Sequence, residues 1–460
     1  MNVRPPVRGA HGRPRAVIER TSPTDLMELA SDLPGSPMQV AAVLVLGAAS
    51  GLNLNAVRDA IGERIQAVPR LRQRLVEAPF GCGRPVWVDD PGFDIRHHVN
   101  AVHCPAPGDE TALLGVVADT VTHRLPVNRP LWSATLVTSL TDGSAALIVM
   151  LHHVLADGIG GLAVLARLVD GVPTAPVPAF PRPSPGHRAL FREACGTRLR
   201  ALTHLGAEAR QLRVAVTELA AGGPGRPPRS TLNQPTGTRR SLAVARADLP
   251  SVQRVAHAHG ATVNDVVLTA VTNALHAVLR HRGENVARFV ISVPTSTRRA
   301  TTAIHLGNQV GVMAVPVTAA GNPYQLLAAI ANTTRNRKPA VPSASAVLLG
   351  PMFRTLAWLG AFRWFVDRQR LVTTMVTNLR GPDARLSFLT TPITDVIPVS
   401  PITGNVTVAF AVLSYAGTLK VTVVADSQSC PDLPLLVAHL QSELDLLTGQ
   451  HTAHSVAVAR

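Results

Sequence analysis

Residues 151–161 read LHHVLADGIGG and follow the apolar run AALIVM at 145–150 without interruption. A second strand-like run, LWSATLVTSL at 131–140, precedes them, and TDGS at 141–144 joins the two, with Asp142-Gly143 as a strong turn signal. The pattern predicts a hairpin with His152 and His153 at the C-terminal end of its second strand. GLAVLARLVDG at 161–171 then reads as a helix. The cluster therefore sits at a strand-loop-helix junction, where side chains can face a cleft. A neutral imidazole there can take a proton from a hydroxyl or thiol near pH 7. His153 is the candidate base, and His152 supports the backbone or the ring of its neighbour. Two readings of Asp157 are open: it pairs with an arginine and holds the loop, or it caps the following helix. Gly158, Gly160 and Gly161 permit tight turning and close backbone approach. Taken alone, the pattern also admits a purely structural histidine pair. A metal site would need a further ligand set with HExxH-like or CxxC-like spacing, and none accompanies the cluster.

The chain has 460 residues, enough for two or three domains with real cores. Hydrophobic residues make up 46% and mean hydropathy is +0.19. Charges nevertheless interrupt every apolar stretch before the roughly 18 residues a spanning helix needs, so no transmembrane segment is expected. The opening MNVRPPVRGAHGRPR carries positive charge with no apolar region behind it, which predicts a cytoplasmic protein. Cys82, Cys104, Cys195 and Cys430 stand far apart, a spacing that suits reduced thiols. The formal charge is +15, carried almost wholly by arginine, since Lys338 and Lys420 are the lysines. With aromatics at 3%, stacking platforms for bases are scarce, and nucleic acid is not an expected partner. A basic surface still favours anionic lipid or phosphorylated ligands.

Both halves of the chain mix strand and helix patterns. PMQVAAVLVLG supplies a strand from Met38 to Leu46, and Asn53 caps a helix with Leu54, Val57, Ile61, Ile65 and Val68 on one stripe. The proline-dense GVPTAPVPAFPRPSPG at 171–186 cannot be regular helix or central sheet. A helical stripe from Leu199 to Leu219 follows it, ending at GGPGRPPRS. These breaks divide the chain into a first subdomain at 1–175, a linker with its own helix at 176–240, and a second subdomain at 241–460. In the second, strands are expected near 241–246, 288–294, 309–317, 371–378, 393–399, 405–414 and 418–425, and helices near 250–259, 263–281 and from Pro431. The expected fold class is mixed α/β.

HHVLADG at 152–158, PLW at 130–132, PMQVAAVLVL at 37–46, NDVVLTAV at 264–271 and SYAGTL at 414–419 together resemble the bacterial wax ester synthase/diacylglycerol acyltransferase family. VPRLRQRL at 68–75, FDIRHHV at 93–99, GNQVGVM at 307–313 and TNLRGP at 377–382 extend the resemblance from about Ser22 to the final helix. HHxxxDG alone is shared with chloramphenicol acetyltransferase and peptide synthetase condensation domains. The combination with PLW and ND is more specific. The resemblance implies two chloramphenicol-acetyltransferase-like subdomains with an active-site channel between them, open to CoA on one side and lipid on the other.

It also implies roles, residue by residue. His153 is the general base, His152 its motif partner, Asp157 a structural carboxylate paired with Arg298, and Gly158 the close of the motif. Asn264 and Asp265 match the ND motif and would serve substrate binding, although Thr262 to Asp265 also has capping-box spacing. The implied reaction is acyl transfer from acyl-CoA, as substrate and without a cofactor, to the hydroxyl of diacylglycerol or a long-chain alcohol. Two rival readings are a catalytically silent acyl-CoA or lipid-binding paralogue and a condensation-type transferase with another acceptor. The sequence departs from the family at Leu379-Arg380, where Val-Pro is expected, and at Gln39, where His is common; both bear on acceptor choice. FRTLAWLGAFRWF at 353–365 holds five of the sixteen aromatics, flanked by Arg354, Arg363 and Arg368. It reads either as an interfacial helix meeting the inner membrane or a lipid droplet, or as a helix packed between subdomains.

Overall fold

The computed structural model describes residues 18–171 other than 34 and 50, and residues 179–200, 226–296, 310–337, 355–356, 359–449 and 458–459. The hairpin forms as its turn chemistry requires: Trp132–Thr138 pairs antiparallel with Ala145–His152, and Asp142 and Gly143 both take positive φ. Gln39–Leu46 pairs on the other side of Ala145–His152, whose eight residues are all buried. A run that is apolar throughout suits a central strand covered on both faces.

The first sheet has six strands, in the order 387–388, 391–399, 39–46, 145–152, 132–138 and 99–103. The second has seven, in the order 310–318, 288–296, 374–380, 408–415, 418–426, 240–248 and 458–459. Helices Leu249–Ala258, Val263–His281 and Leu433–Thr448 bury their apolar stripes in the core of the second sheet. Among the described residues, no single helix is long and apolar enough to cross a membrane.

One strand departs from chain order. Thr391–Val399, grouped by sequence within 241–460, crosses over and pairs antiparallel with Gln39–Leu46 of the first half. Its Ile393, Val396, Ile397 and Val399 join the first half's core, so the sheet edge and apolar surface left open by Gln39–Leu46 are both covered. Tyr415, from SYAGTL, holds this strand: its hydroxyl donates to the Ile393 carbonyl at 3.0 Å and accepts from Leu386 N at 2.8 Å. Asp395 forms ion pairs with Lys420 and Arg246 of the second half, and Arg246 also pairs with Glu110 of the first.

Other expectations fall partly outside the described residues. Of the stripe from Leu199 to Leu219, Leu199 and Arg200 end a helix that runs over 187–200, and the rest lies outside the described residues. Of the aromatic segment, Phe353 and Trp358 are undescribed, while the helix Phe362–Val366 buries Phe362 and turns Trp364 outward beside Arg368.

Lys420 is 3% exposed, so its ammonium depends on the Asp395 carboxylate. Replacing Asp395 with alanine should therefore destabilise the protein by about 3 kcal/mol, the cost of stranding a buried charge. Lys420→Met in the same chain should return part of that loss. Urea unfolding of the two single variants and the double variant measures this coupling.

Candidate active site

The two histidines are held by the neighbouring motifs through main-chain bonds. His152 N donates to the Leu131 carbonyl of PLW at 2.9 Å, and His153 N donates to the Met38 carbonyl of PMQV at 2.8 Å. Trp132 is a packing residue: its indole donates to the Leu71 carbonyl at 2.7 Å and its ring stacks on His98. Burial pulls His98 below its ordinary pKa, against the Trp132 carbonyl that accepts from its Nδ1.

Below the histidines runs the helix Pro23–Ser31, fixed at its start by a capping box between Ser22 and Asp25. It brings a carboxylate to each imidazole. Asp32, at its C-cap, lies 3.5 Å from His152 Nε2, while His152 Nδ1 accepts from Val154 N at 3.0 Å. The ring proton of His152 is thereby assigned to Nε2. Burial pushes the Asp32 carboxyl up, but bonds from His152, Met38 N and Arg124 outweigh it and leave it below the usual value. Asp32 thus contributes stability above the ordinary aspartate range, lost as pH falls through its lower folded value. Glu28, one turn earlier on the same helix, puts Oε2 at 3.7 Å from His153 Nδ1.

His153 and Glu28 line a cavity of about 240 Å³ between the two sheets. Its walls are otherwise mostly apolar: Met38, Val40 and Leu162 from the first half, Met375, Leu379 and Leu413 from the second, with Val399 of the crossing strand. Ser400, directly after that strand, also lines it; its Oγ is buried with no hydrogen-bond partner among the described residues. An imidazole on the wall of a mostly apolar space can move a proton beside an apolar chain.

The remaining expectations sort differently. Asp157 is 1% exposed and caps the helix Gly158–Leu168, accepting from Gly160 N at 2.8 Å. Its expected partner Arg298 lies outside the described residues. Asp265 closes the capping box with Thr262 and accepts from the Thr334 hydroxyl at 2.8 Å, and neither it nor Asn264 lines the cavity. Helix capping is thus what the described geometry gives Asp265. Gly158 does line the cavity, and a Cβ there would sit 2.9 Å from Leu379 Cδ2. Gln39 turns away: its amide donates to the carbonyls of Val121 and His123, and its oxygen accepts from Leu125 N. Of the two departures from the family pattern, Leu379 reaches the cavity and Gln39 braces a loop behind it. Sequence reading missed Glu28 and Ser400. The spacing of Glu28 and Asp32, four apart and therefore on one helix face, was the available signal for the first; Ser400 carries no pattern of its own.

Comparison with known proteins agrees with this architecture. The profile for the wax ester synthase/diacylglycerol acyltransferase catalytic domain matches residues 21–267, and the WS/DGAT C-terminal domain profile matches 306–448. A chain from Mycobacterium tuberculosis named probable diacylglycerol O-acyltransferase tgs1 is 32% identical over 407 residues, spanning 85% of this chain and 87% of that one. The solved wax ester synthase/diacylglycerol acyltransferase from Marinobacter aquaeolei VT8 superposes with a TM-score of 0.67 at 22% identity, covering 94% of this chain and all of that one. The starter condensation domain of rhizomide synthetase gives 0.63 at 15% identity over 94% of each chain, a likeness of fold. Two profiles in tandem and a relative matched over most of its length place the protein in one family: the chain belongs to the wax ester synthase/diacylglycerol acyltransferases.

Proposed function

We propose that the protein moves a long-chain fatty acyl group from acyl-CoA to the hydroxyl of diacylglycerol, with His153 as general base. The observation that carries this reading is the position of His153 on the wall of an apolar cavity between the two sheets. The family's chemistry supplies the donor thioester, and the named relative supplies the acceptor class. A long-chain alcohol is the second acceptor that an apolar cavity admits.

In this mechanism His153 takes the proton of the acceptor hydroxyl as its oxygen attacks the thioester carbonyl. The carbon becomes tetrahedral and its oxygen negative, so a donor is needed where that charge develops. Ser400 is our candidate, because its hydroxyl is buried, lines the same cavity and has no partner among the described residues. Collapse breaks the carbon–sulfur bond, and the CoA thiolate recovers the proton from the imidazolium of His153. The acyl group passes directly between substrates.

Leu379 against Gly158 shapes the passage beside His153, and we infer that this contact helps to set which alcohol fits.

Release of CoA from a long-chain acyl-CoA, with diacylglycerol or fatty alcohol as acceptor, tests the reading against that of a silent lipid-binding paralogue. His153→Ala should lower turnover by roughly 100- to 10,000-fold with unchanged melting temperature; comparable activity in a folded variant would remove His153 from the chemistry. For Ser400→Ala we expect a fall in kcat of roughly 100-fold with KM for acyl-CoA preserved. A Cβ at Gly158 meets the flexible end of Leu379, so Gly158→Ala should lower activity and Gly158→Ala/Leu379→Ala should regain much of it. Leu379→Ala alone should shift an acceptor panel toward bulkier alcohols, and an unchanged panel would count against Leu379 as a selector.

A further inference from the structure

The helix Pro23–Ser31 and its C-cap bring two carboxylates, four residues apart, to two adjacent histidines. The two pairs differ. Asp32 faces Nε2 of His152, whose Nδ1 already accepts a main-chain bond, and this pair is 5–6% exposed on the histidine and anchored on the aspartate by Arg124 and Met38 N. Glu28 instead faces Nδ1 of His153, and both side chains line the cavity at 19% and 21% exposure. The separation of 3.7 Å is ion-pair range, a few tenths of an ångström beyond a hydrogen bond. Catalytic contacts of this kind commonly tighten when substrate is bound.

We propose that Glu28 is a positioning residue that holds the proton of His153 on Nδ1 and so leaves the Nε2 lone pair for the acceptor hydroxyl. The proposal rests on the reading of His153 as the base. When Nε2 takes the acceptor's proton, the ring becomes an imidazolium and its positive charge develops beside the Glu28 carboxylate, within mostly apolar walls. Transfer of the same proton to the CoA thiolate returns the ring to its Nδ1-protonated form, so no proton is gained or lost over the cycle. A carboxylate in this place both selects the tautomer and favours the charged intermediate. The main-chain bond from His153 N to the Met38 carbonyl fixes the ring's root beside this helix.

The test uses the full chain with ¹⁵N-labelled histidine, together with steady-state kinetics on long-chain acyl-CoA and diacylglycerol. The His153 signals are assigned by their absence in His153→Ala. In the unsubstituted protein near neutral pH we expect His153 as the Nδ1-protonated neutral tautomer. Glu28→Ala should move it toward the Nε2-protonated form and lower kcat by roughly 10- to 100-fold, a part of the roughly 100- to 10,000-fold that a general base contributes. KM for acyl-CoA and melting temperature should stay as they were. Glu28→Gln, close in size, guards against a packing defect in the alanine variant: it should fold and still lose kcat, because an amide cannot offset the imidazolium. Glu28→Asp should recover part of the rate. An Nε2-protonated His153 in the unsubstituted protein, or unchanged tautomer and kcat in both Glu28→Ala and Glu28→Gln, would overturn the proposal while an inactive His153→Ala still upheld the base. Activity retained in folded His153→Ala would overturn the base itself, whatever Glu28 does.

Discussion

Antiparallel pairing between Thr391–Val399 and Gln39–Leu46 is the constraint on which the site depends. Gln39–Leu46 would otherwise be an apolar edge strand, open to unwanted pairing. The crossing strand covers that edge and contributes four side chains to the first half's core, so the two halves cannot be moved apart without breaking a sheet. The cavity then follows. Val40, Ala41 and Ala42 on one strand and Pro398 and Val399 on its partner form one wall, and Ser400 follows directly where the crossing strand ends.

The motifs that mark the family serve this geometry more than the chemistry. Leu131 and Met38 take the amide hydrogens of the two histidines on their carbonyls, Tyr415 ties down the crossing strand, and Gly381 leaves room for the Ser414 carbonyl, which a Cβ would meet. Asp157 and Asp265 cap helices that start beside or behind the site. What remains for substrate is a short set of polar groups facing the cavity: the His153 imidazole, the Glu28 carboxylate and the hydroxyl residues Thr24, Ser292, Thr377 and Ser400, among mostly apolar walls. An apolar enclosure strengthens each polar contact made inside it, which is why so few suffice.

Much of the architecture was legible because it is local. The Asp142-Gly143 turn, the Asn53 and Thr262 caps and the stripes that follow those caps are settled within a few residues of themselves, and these elements are found where those signals put them, with ends moved by a few positions. The junction at 151–161 was likewise readable, since an apolar run that stops at two histidines and a glycine turn has to end at a surface or a cleft. Gln39 and Leu379 show the limit. Both looked like changes at the channel, yet only the direction of each side chain separates a loop brace from a cavity wall, and an alternating strand pattern does not say which face meets which partner.

Sequence by itself thus determined the mixed α/β class, the strand-loop-helix setting of His152 and His153, the capping roles open to Asp157 and Asp265, and the family resemblance carried by motifs along the whole chain. Tertiary structure alone decided that 391–399 belongs to the first half's sheet, that Asp32 and Glu28 each face a different histidine, and that Ser400 and Leu379 share a cavity with His153. The reason is the range of the interactions. Turns, caps and stripes depend on neighbours in the chain, whereas strand exchange and the convergence of charged groups join residues more than a hundred positions apart, where sequence periodicity carries no information about distance.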